Sequence, residues 1–80
     1  MSDMSTALVL ALRDKRGWVR QSAVRTVEEI APLLEAQGLI LDILQALAPL
    51  GEDQDEPVRT SAQDAIGVLK AYSKPGVAAD

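Results

Sequence analysis

The spacing of apolar residues along the chain is that of α-helices. Four stretches of this pattern are separated by glycine, proline and short polar segments, and they predict helices at about 5–13, 18–36, 39–50 and 57–72. Ser5 is the expected N-cap of the first helix. In the second stretch the apolar positions recur every three or four residues and so share one face, which consists of Val19, Ala23, Val27, Ile30 and Leu34. The pattern predicts an all-α fold with four helices.

Glycines and prolines set the expected limits of the later helices. Gly38 and Gly51 are placed to end the second and third helices. Pro57 is suited to the first position of the fourth helix, where its missing N–H would have no partner. Pro32 and Pro49 lie inside or near the ends of helical stretches, and each removes a backbone hydrogen bond. We therefore expect kinks at these two prolines.

The first half of the chain is repeated, in part, in the second half. A single shift of the sequence against itself superimposes Ala7-Leu8 on Ala46-Leu47, Asp14 on Asp53, Val19-Arg20 on Val58-Arg59, Ser22-Ala23 on Ser61-Ala62, Val27 on Ile66, and Ile30 on Leu69. A period of this length, made of two antiparallel helices, is typical of an α-solenoid. We predict two stacked helical hairpins, at about 5–36 and 39–72, in one domain of residues 1–72 followed by a flexible tail at 73–80.

Each repeat has a turn aspartate followed by a fixed series of apolar residues and one arginine. The series Asp14, Val19-Arg20, Ala23, Val27 and Ile30 resembles a HEAT repeat, and Asp53, Pro57-Val58-Arg59, Ala62, Ile66 and Leu69 resembles a second. The resemblance implies a scaffold that binds other proteins. It also implies a structural ladder of charge-assisted hydrogen bonds between adjacent repeats, formed by Asp14, Arg20, Asp53 and Arg59. The chain departs from the family at Gly17-Trp18, where many members have a proline just before the valine.

The outward face of each second helix is the predicted partner-binding surface, since in the HEAT family this face lines a concave groove. Projection at about 100° per residue places eight residues opposite the apolar stripes. They are Gln21, Val24, Arg25 and Glu28 in the first repeat, and Thr60, Gln63, Asp64 and Gly67 in the second. Arg25 and Asp64 are equivalent positions that could pair across the groove, a contact worth about 0.3–1 kcal/mol if exposed. A merely solvated surface is the competing interpretation.

The net charge of −4 is unevenly distributed between the two parts of the chain. Residues 1–27 carry five basic and two acidic side chains, and residues 28–80 carry three basic and ten acidic ones, which gives +3 against −7. One basic cluster surrounds Trp18, and its members are Arg13, Lys15, Arg16, Arg20 and Arg25. Phosphate contacts and stacking on Trp18 would suit a nucleic acid, which is therefore the alternative partner. The acidic whole chain makes that the weaker interpretation. We expect Trp18 to pack over the helix ends, and we keep it as a partner-binding candidate.

Residue types that catalysis and metal binding commonly need are absent. The chain has no histidine and no cysteine, which removes the commonest general base, the commonest metal ligand and any disulfide. Carboxylates at 52–56 could suit calcium, but the run lacks the glycine and the terminal glutamate of an EF-hand loop, so a solvated turn is the preferred interpretation. We expect no enzyme activity, no cofactor and no metal site.

The preferred function is a protein-interaction scaffold that uses the surface of the second helices and the turns within the repeats. The apolar run at 7–12 is too short to span a bilayer, and we expect a cytoplasmic protein without a membrane contact. A fragment of a longer solenoid that self-associates, as a homodimer for example, remains an alternative, because the first and third helices have almost no polar stripe.

Overall fold

The structure, a computed structural model, describes residues 4–72, and within this range every regular element is helical. The helices are α1 (Met4–Leu12), α2 (Gly17–Glu29), α3 (Ala31–Ala36), α4 (Ile40–Leu47) and α5 (Glu56–Tyr72), with a 3₁₀ helix at Ala48–Glu52. The prediction of an all-α fold is confirmed, with five α-helices where the sequence predicts four. Ser5 lies inside α1 and is not its N-cap, and α5 begins at Glu56, just before Pro57. The predicted flexible tail at 73–80 lies outside the described residues.

The predicted second helix is divided into α2 and α3 by a break at Ile30. The backbone of Ile30 has φ −104° and ψ 15°, away from helical values. Pro32 follows two residues later, lacks an N–H to donate and would clash with the carbonyl of the fourth residue before it. The helix is therefore interrupted here, and Pro32 occupies the first turn of α3. The structure has a full break where the sequence predicts a kink.

Gly38 ends α3, as its position in the sequence predicts. It is the one residue between 4 and 72 with a positive φ, at 70°, a conformation that glycine adopts without steric cost. The N–H of Gly38 donates to the carbonyl of Glu35 at 3.1 Å, and the N–H of Leu39 donates to that of Leu34 at 2.9 Å. These two bonds satisfy carbonyls that the end of the helix leaves free.

The chain after α4 tightens into the 3₁₀ helix instead of ending at Gly51. Pro49 lies in the first turn of this 3₁₀ helix, where a missing N–H is tolerated. Gly51 is inside the same element, so the prediction that it ends the third helix was wrong. The 3₁₀ helix packs on α5, and the chain continues from it into the turn that precedes α5.

The helices pack in contact with one another around a single core. Helix α1 contacts α2 and α4, α5 contacts α4 and the 3₁₀ helix, and the most extensive contact is between α2 and α5. The largest fully buried side chains are Leu12, Val24, Val27, Leu34, Ile43, Leu47, Val58 and Leu69. Burying a side chain of this size contributes about 1.5–3 kcal/mol. Because α2 lies along α5, the turns that precede these two helices come together.

Val24 is fully buried, so the prediction that it lies on the outward face was wrong. The buried residues of α2 are Arg20, Ala23, Val24 and Val27. This face is displaced from the predicted stripe because α2 is covered on two sides, by α1 and by α5. The equivalent residue on α5, Gln63, is exposed. None of the described helices combines the length and apolar character needed to cross a bilayer.

Candidate functional site

The turn between α1 and α2 is held by Asp14 and Arg20. The backbone N–H of Arg16 donates to Oδ1 of Asp14 at 2.9 Å. Nη1 of Arg20 donates to the carbonyl oxygens of Asp14 and Lys15 at 2.8 and 2.9 Å. An aspartate that accepts the N–H two residues ahead stabilises a turn, and the arginine satisfies the turn carbonyls from the other side. These bonds fix the entry of the chain into α2.

The turn before α5 has two of these three bonds at the equivalent positions of the second repeat. The N–H of Asp55 donates to Oδ1 of Asp53 at 2.8 Å. Nη1 of Arg59 donates to the carbonyl of Asp53 at 2.8 Å, as Nη1 of Arg20 does to that of Asp14. The repeat detected in the sequence is thus also a repeat of hydrogen bonds.

Arg20 joins the two turns. Its Nε and Nη2 donate to Oδ2 and Oδ1 of Asp53 at 2.8 and 3.0 Å, and Nη2 also donates to Oδ2 of Asp55 at 3.1 Å. With the two turn carbonyls, Arg20 donates five hydrogen bonds, the full capacity of a guanidinium. The side chains of Arg20 and Asp53 are only 10% and 8% exposed. Paired, charge-assisted bonds shielded from water make this the strongest polar contact among the described residues.

The charge state of Asp53 depends on this contact. Burial by itself opposes ionisation of the carboxyl group and raises its pKa. The bonds from Arg20, the N–H of Asp55 and the positive charges of Arg20 and Arg59 together outweigh burial, so the pKa of Asp53 lies below its ordinary value of 3.8. Asp53 is consequently ionised at neutral pH.

Gly17 makes room for the second carboxylate that reaches Arg20. A Cβ atom at position 17 would overlap the carboxylate of Asp55 and come close to the guanidinium of Arg20. Position 17 therefore has a steric reason to be glycine. Sequence reasoning missed both Gly17 and Asp55, although Asp55 follows Asp53 by two residues, and this short spacing was an available signal.

The four residues of the predicted ladder differ in the partners that they bind. The structure brings Arg20 and Asp53 together, as described above. The carboxylate of Asp14 is bound instead by Arg16 of the same turn, through Nε at 3.0 Å and Nη2 at 3.1 Å, and these side-chain bonds with the Arg16 N–H lower the pKa of Asp14 from 3.8 to about 2. Arg59 meets a carbonyl and no carboxylate among residues 6–72. Asp14 and Arg59 are thus not joined to a neighbouring repeat.

Trp18 is 69% exposed, so the expectation that it packs over the helix ends was wrong. It stands in the first turn of α2, where no other described element covers it. The guanidinium of Arg16 lies 5.7 Å from the centre of its ring, within the range of a cation–π contact. Since Asp14 holds the other edge of Arg16, the ring is flanked by a fixed cation.

A cleft of about 260 Å³ lies beside Trp18, between the starts of α2 and α5. Its lining residues are Gly17, Trp18, Gln21, Asp55, Pro57 and Val58. A second cleft, of about 530 Å³, lies at the turns, where the side chains of Arg13, Lys15, Gln45 and Gln54 are among its walls. Both clefts are bordered by the turns within the predicted repeats.

The other predicted partner-binding residues occupy the outward surfaces of α2 and α5. Arg25, Thr60, Gln63, Asp64 and Gly67 are exposed, and Gln21 and Glu28 are half-buried. Gln63 also donates from Nε2 to the carbonyl of Gly51 at 3.2 Å. Arg25 and Asp64, which could have paired across the groove, form no ion pair in the structure. The surface is therefore polar and largely open, with Trp18 at one end.

The basic cluster around Trp18 carries less free charge than the sequence suggests. Of its five members, Arg16 and Arg20 are paired with aspartates. Among the described residues no group of three or more carboxylates is placed to hold a metal ion. In the acidic run at 52–56, the carboxylates of Asp53 and Asp55 are directed to Arg20.

Comparison of the chain with protein-family models, with curated proteins and with solved structures finds no match in any of the three.

Proposed function

We propose that the chain is a protein-interaction scaffold, built as two helical hairpins stacked in the manner of a short HEAT-like α-solenoid. The hairpins are α1 with α2, and α4 with α5. The proposal is supported by the contact between α2 and α5 and by the two turns that share their hydrogen bonds at equivalent positions of the repeat. The binding surface consists of the outward sides of α2 and α5 with the adjoining turns.

The observation that carries the proposal is the exposed Trp18 beside its cleft. Tryptophan and arginine are the residues most enriched where binding energy concentrates in protein interfaces. Burial of an indole ring removes a large apolar area from water on binding. Arg16 is already held over the ring by Asp14, so little side-chain freedom is lost when a partner covers the pair.

The cleft defines how a partner would dock. Trp18 and Pro57 offer apolar walls, and the amide of Gln21 and the carboxylate of Asp55 offer polar groups between them. Such a site accepts one apolar side chain of a partner together with hydrogen-bonding groups of its backbone. Arg25 and Asp64 are placed farther along α2 and α5, where they would contact flanking residues of the partner.

The test compares Trp18→Ala with a control of similar exposure. Leu41, at the start of α4, is 66% exposed and does not line the cleft beside Trp18. The immobilised full chain, its Trp18→Ala variant and its Leu41→Ala variant are used to capture proteins from a lysate of the source organism, with quantitative mass spectrometry as readout. We expect Trp18→Ala to lose the proteins that the other two retain.

A partner identified in this way is then purified and titrated with each variant. At least tenfold weaker binding, which corresponds to about 1.4 kcal/mol, is expected for Trp18→Ala alone. Circular dichroism first establishes that both variants are folded at the temperature of the titration. Equal capture by all three proteins, or equal affinity of both variants, would show that the Trp18 surface is not the binding site.

A further inference from the structure

The two turns differ in the hydrogen bonds that their charged side chains leave unused. In the first turn, the carboxylate of Asp14 is bound by Arg16 on both oxygens. In the second, Arg59 donates from Nη1 to the carbonyl of Asp53, and its Nε and Nη2 have no partner among the described residues. Arg59 is half-exposed, so this edge is accessible to another molecule.

The contacts of Arg20 indicate which groups could bind the unused edge of Arg59, formed by Nε and Nη2. Both arginines use Nη1 for the carbonyl of the turn aspartate six residues before them, at 2.8 Å in each case. A guanidinium is planar, so Nε and Nη2 form a second donor edge in both arginines, although Nη1 of Arg20 also bonds the carbonyl of Lys15. On Arg20 that edge binds the two carboxylates of Asp53 and Asp55.

We propose that Arg59 is the docking site for an acidic turn of another protein, in which two carboxylates stand two residues apart immediately before a helix. The template is the turn of this chain that carries Asp53 and Asp55 before α5. Arg59 does not line the cleft beside Trp18. Loss of binding at one of these sites can therefore be distinguished from loss at the other.

The residues around Arg59 indicate that a partner would bind there reversibly, and more weakly than Asp53 and Asp55 are bound by Arg20. On α2, Val24 and Val27 follow Arg20 at helical spacing, and both are fully buried. The equivalent positions on α5 are Gln63, which is exposed, and Ile66, which is half-buried. This side of α5 thus offers one apolar contact and one amide next to the guanidinium, with less apolar area than the internal contact.

Charge argues against a second copy of this chain as the occupant. The corresponding turn of a second copy would present Asp14, whose carboxylate is already held by Arg16. Arg16 also occupies the position in the first repeat that Asp55 occupies in the second, so it would bring a cation to the place where the template has a carboxylate. Like charges at such a contact oppose binding. A different polypeptide with an acidic turn is the occupant that fits.

The experiment uses peptides copied from the two turns as probes. Peptide 50–62 contains the acidic turn, and peptide 11–23 contains the basic one. Each is titrated into the ¹⁵N-labelled full chain, and the Nε–Hε resonances of the arginines are followed by NMR. We expect the acidic peptide to shift the resonance of Arg59. Peptide 11–23 should cause no comparable shift.

Substitutions then identify the groups responsible. Arg59→Gln is expected to weaken binding of the acidic peptide about tenfold or more, as is Asp53→Asn with Asp55→Asn in the peptide. Arg59→Lys keeps the charge but not the planar fork, so it should weaken binding as well. Arg13→Gln, which removes one positive charge elsewhere, is the control and should bind within about twofold of the original chain.

The outcomes separate the possibilities clearly. Full binding by Arg59→Gln or by Arg59→Lys overturns the proposed site, because the interaction would then not use the fork of Arg59. Equal binding of the two peptides overturns the requirement for an acidic turn and favours a second copy of the chain. Circular dichroism at the titration temperature checks that each variant is folded, so that a loss of binding reports the site.

Discussion

Replacement of Arg20 by alanine is expected to destabilise the fold more than any other arginine substitution in α2 or α5. The change removes five hydrogen bonds and leaves the carboxylate of Asp53, 8% exposed, without its cation. Removal of one partner from a buried ion pair costs about 3–5 kcal/mol. Domains have a total stability of only about 0.05–0.15 kcal/mol per residue, so this loss would consume much of the margin.

Two other arginines provide graded comparisons. Within residues 4–72 the side chain of Arg59 donates one bond, to the carbonyl of Asp53, and it is half-exposed, so Arg59→Ala should cost about 1 kcal/mol. Arg25 is exposed and forms no ion pair with another described residue, so Arg25→Ala should remain within about 0.5 kcal/mol of the original chain. The expected order of destabilisation is therefore Arg20, then Arg59, then Arg25.

Urea unfolding followed by far-ultraviolet circular dichroism measures these differences. If Arg20→Ala is partly unfolded in water, all three substitutions are repeated in a Gly67→Ala background. Gly67 is exposed within α5, and a Cβ there meets no atom of residues 4–72 within 4 Å, so alanine should add about 0.5–1 kcal/mol. A cost for Arg20→Ala no greater than that for Arg59→Ala would refute the assignment of Arg20 as the joint between the turns. So would a double-mutant cycle with Asp53→Asn that shows no coupling.

Three further results are expected. A Cβ at position 17 would make the carboxylate of Asp55 turn away from Arg20, whereas one at position 67 meets no atom of residues 4–72 within 4 Å. Gly17→Ala should therefore raise the melting temperature less than Gly67→Ala does, and equal shifts would contradict the steric argument. Asp53 has a pKa below 3.8, so the stability that its charge contributes is present above that pH and is lost as the pH falls below it. The melting temperature should therefore decline in this acidic range, and the decline should be shallower for Asp53→Asn. Parallel curves for the two proteins would contradict this prediction. Leu10 and Leu41, both 66% exposed, should promote self-association of the chain. Light scattering should show a molecular mass that rises with protein concentration, and Leu10→Glu should lower that mass. A constant monomer mass at all concentrations would exclude self-association.

Much of the fold could be predicted from the sequence because helical periodicity and chain-breaking residues are local properties. The break at Pro32 lies where the sequence places a kink, since a missing N–H acts on its own helix whatever surrounds it. The contact between Arg20 and Asp53 lies within the set of residues that the internal repeat selects. The repeat identifies equivalent positions without any knowledge of packing.

The errors concern properties that depend on neighbours. A helical projection gives the angular order of residues but not the number of elements that cover the helix, and Val24 is buried because α5 adds a second contact to α2. Trp18 is exposed for the opposite reason, since α5 borders the cleft beside its ring without covering the ring. The steric need for Gly17 depends on the position of Asp55, which is distant in sequence and close in space.

Arg16 and Asp55 occupy equivalent positions but carry opposite charges, so the two turns are not interchangeable. Arg16 turns back to Asp14, so that the first turn satisfies its own carboxylate. Asp55 instead adds a second carboxylate to the one that Arg20 already binds. The residue at this position therefore binds within its own turn in the first repeat, and it strengthens the contact between the two turns in the second. Of the two arginines that follow the turn aspartates, Arg20 and Arg59, only Arg59 keeps an unused guanidinium edge within the described part of the chain, and the proposed charge-selective contact rests on that asymmetry.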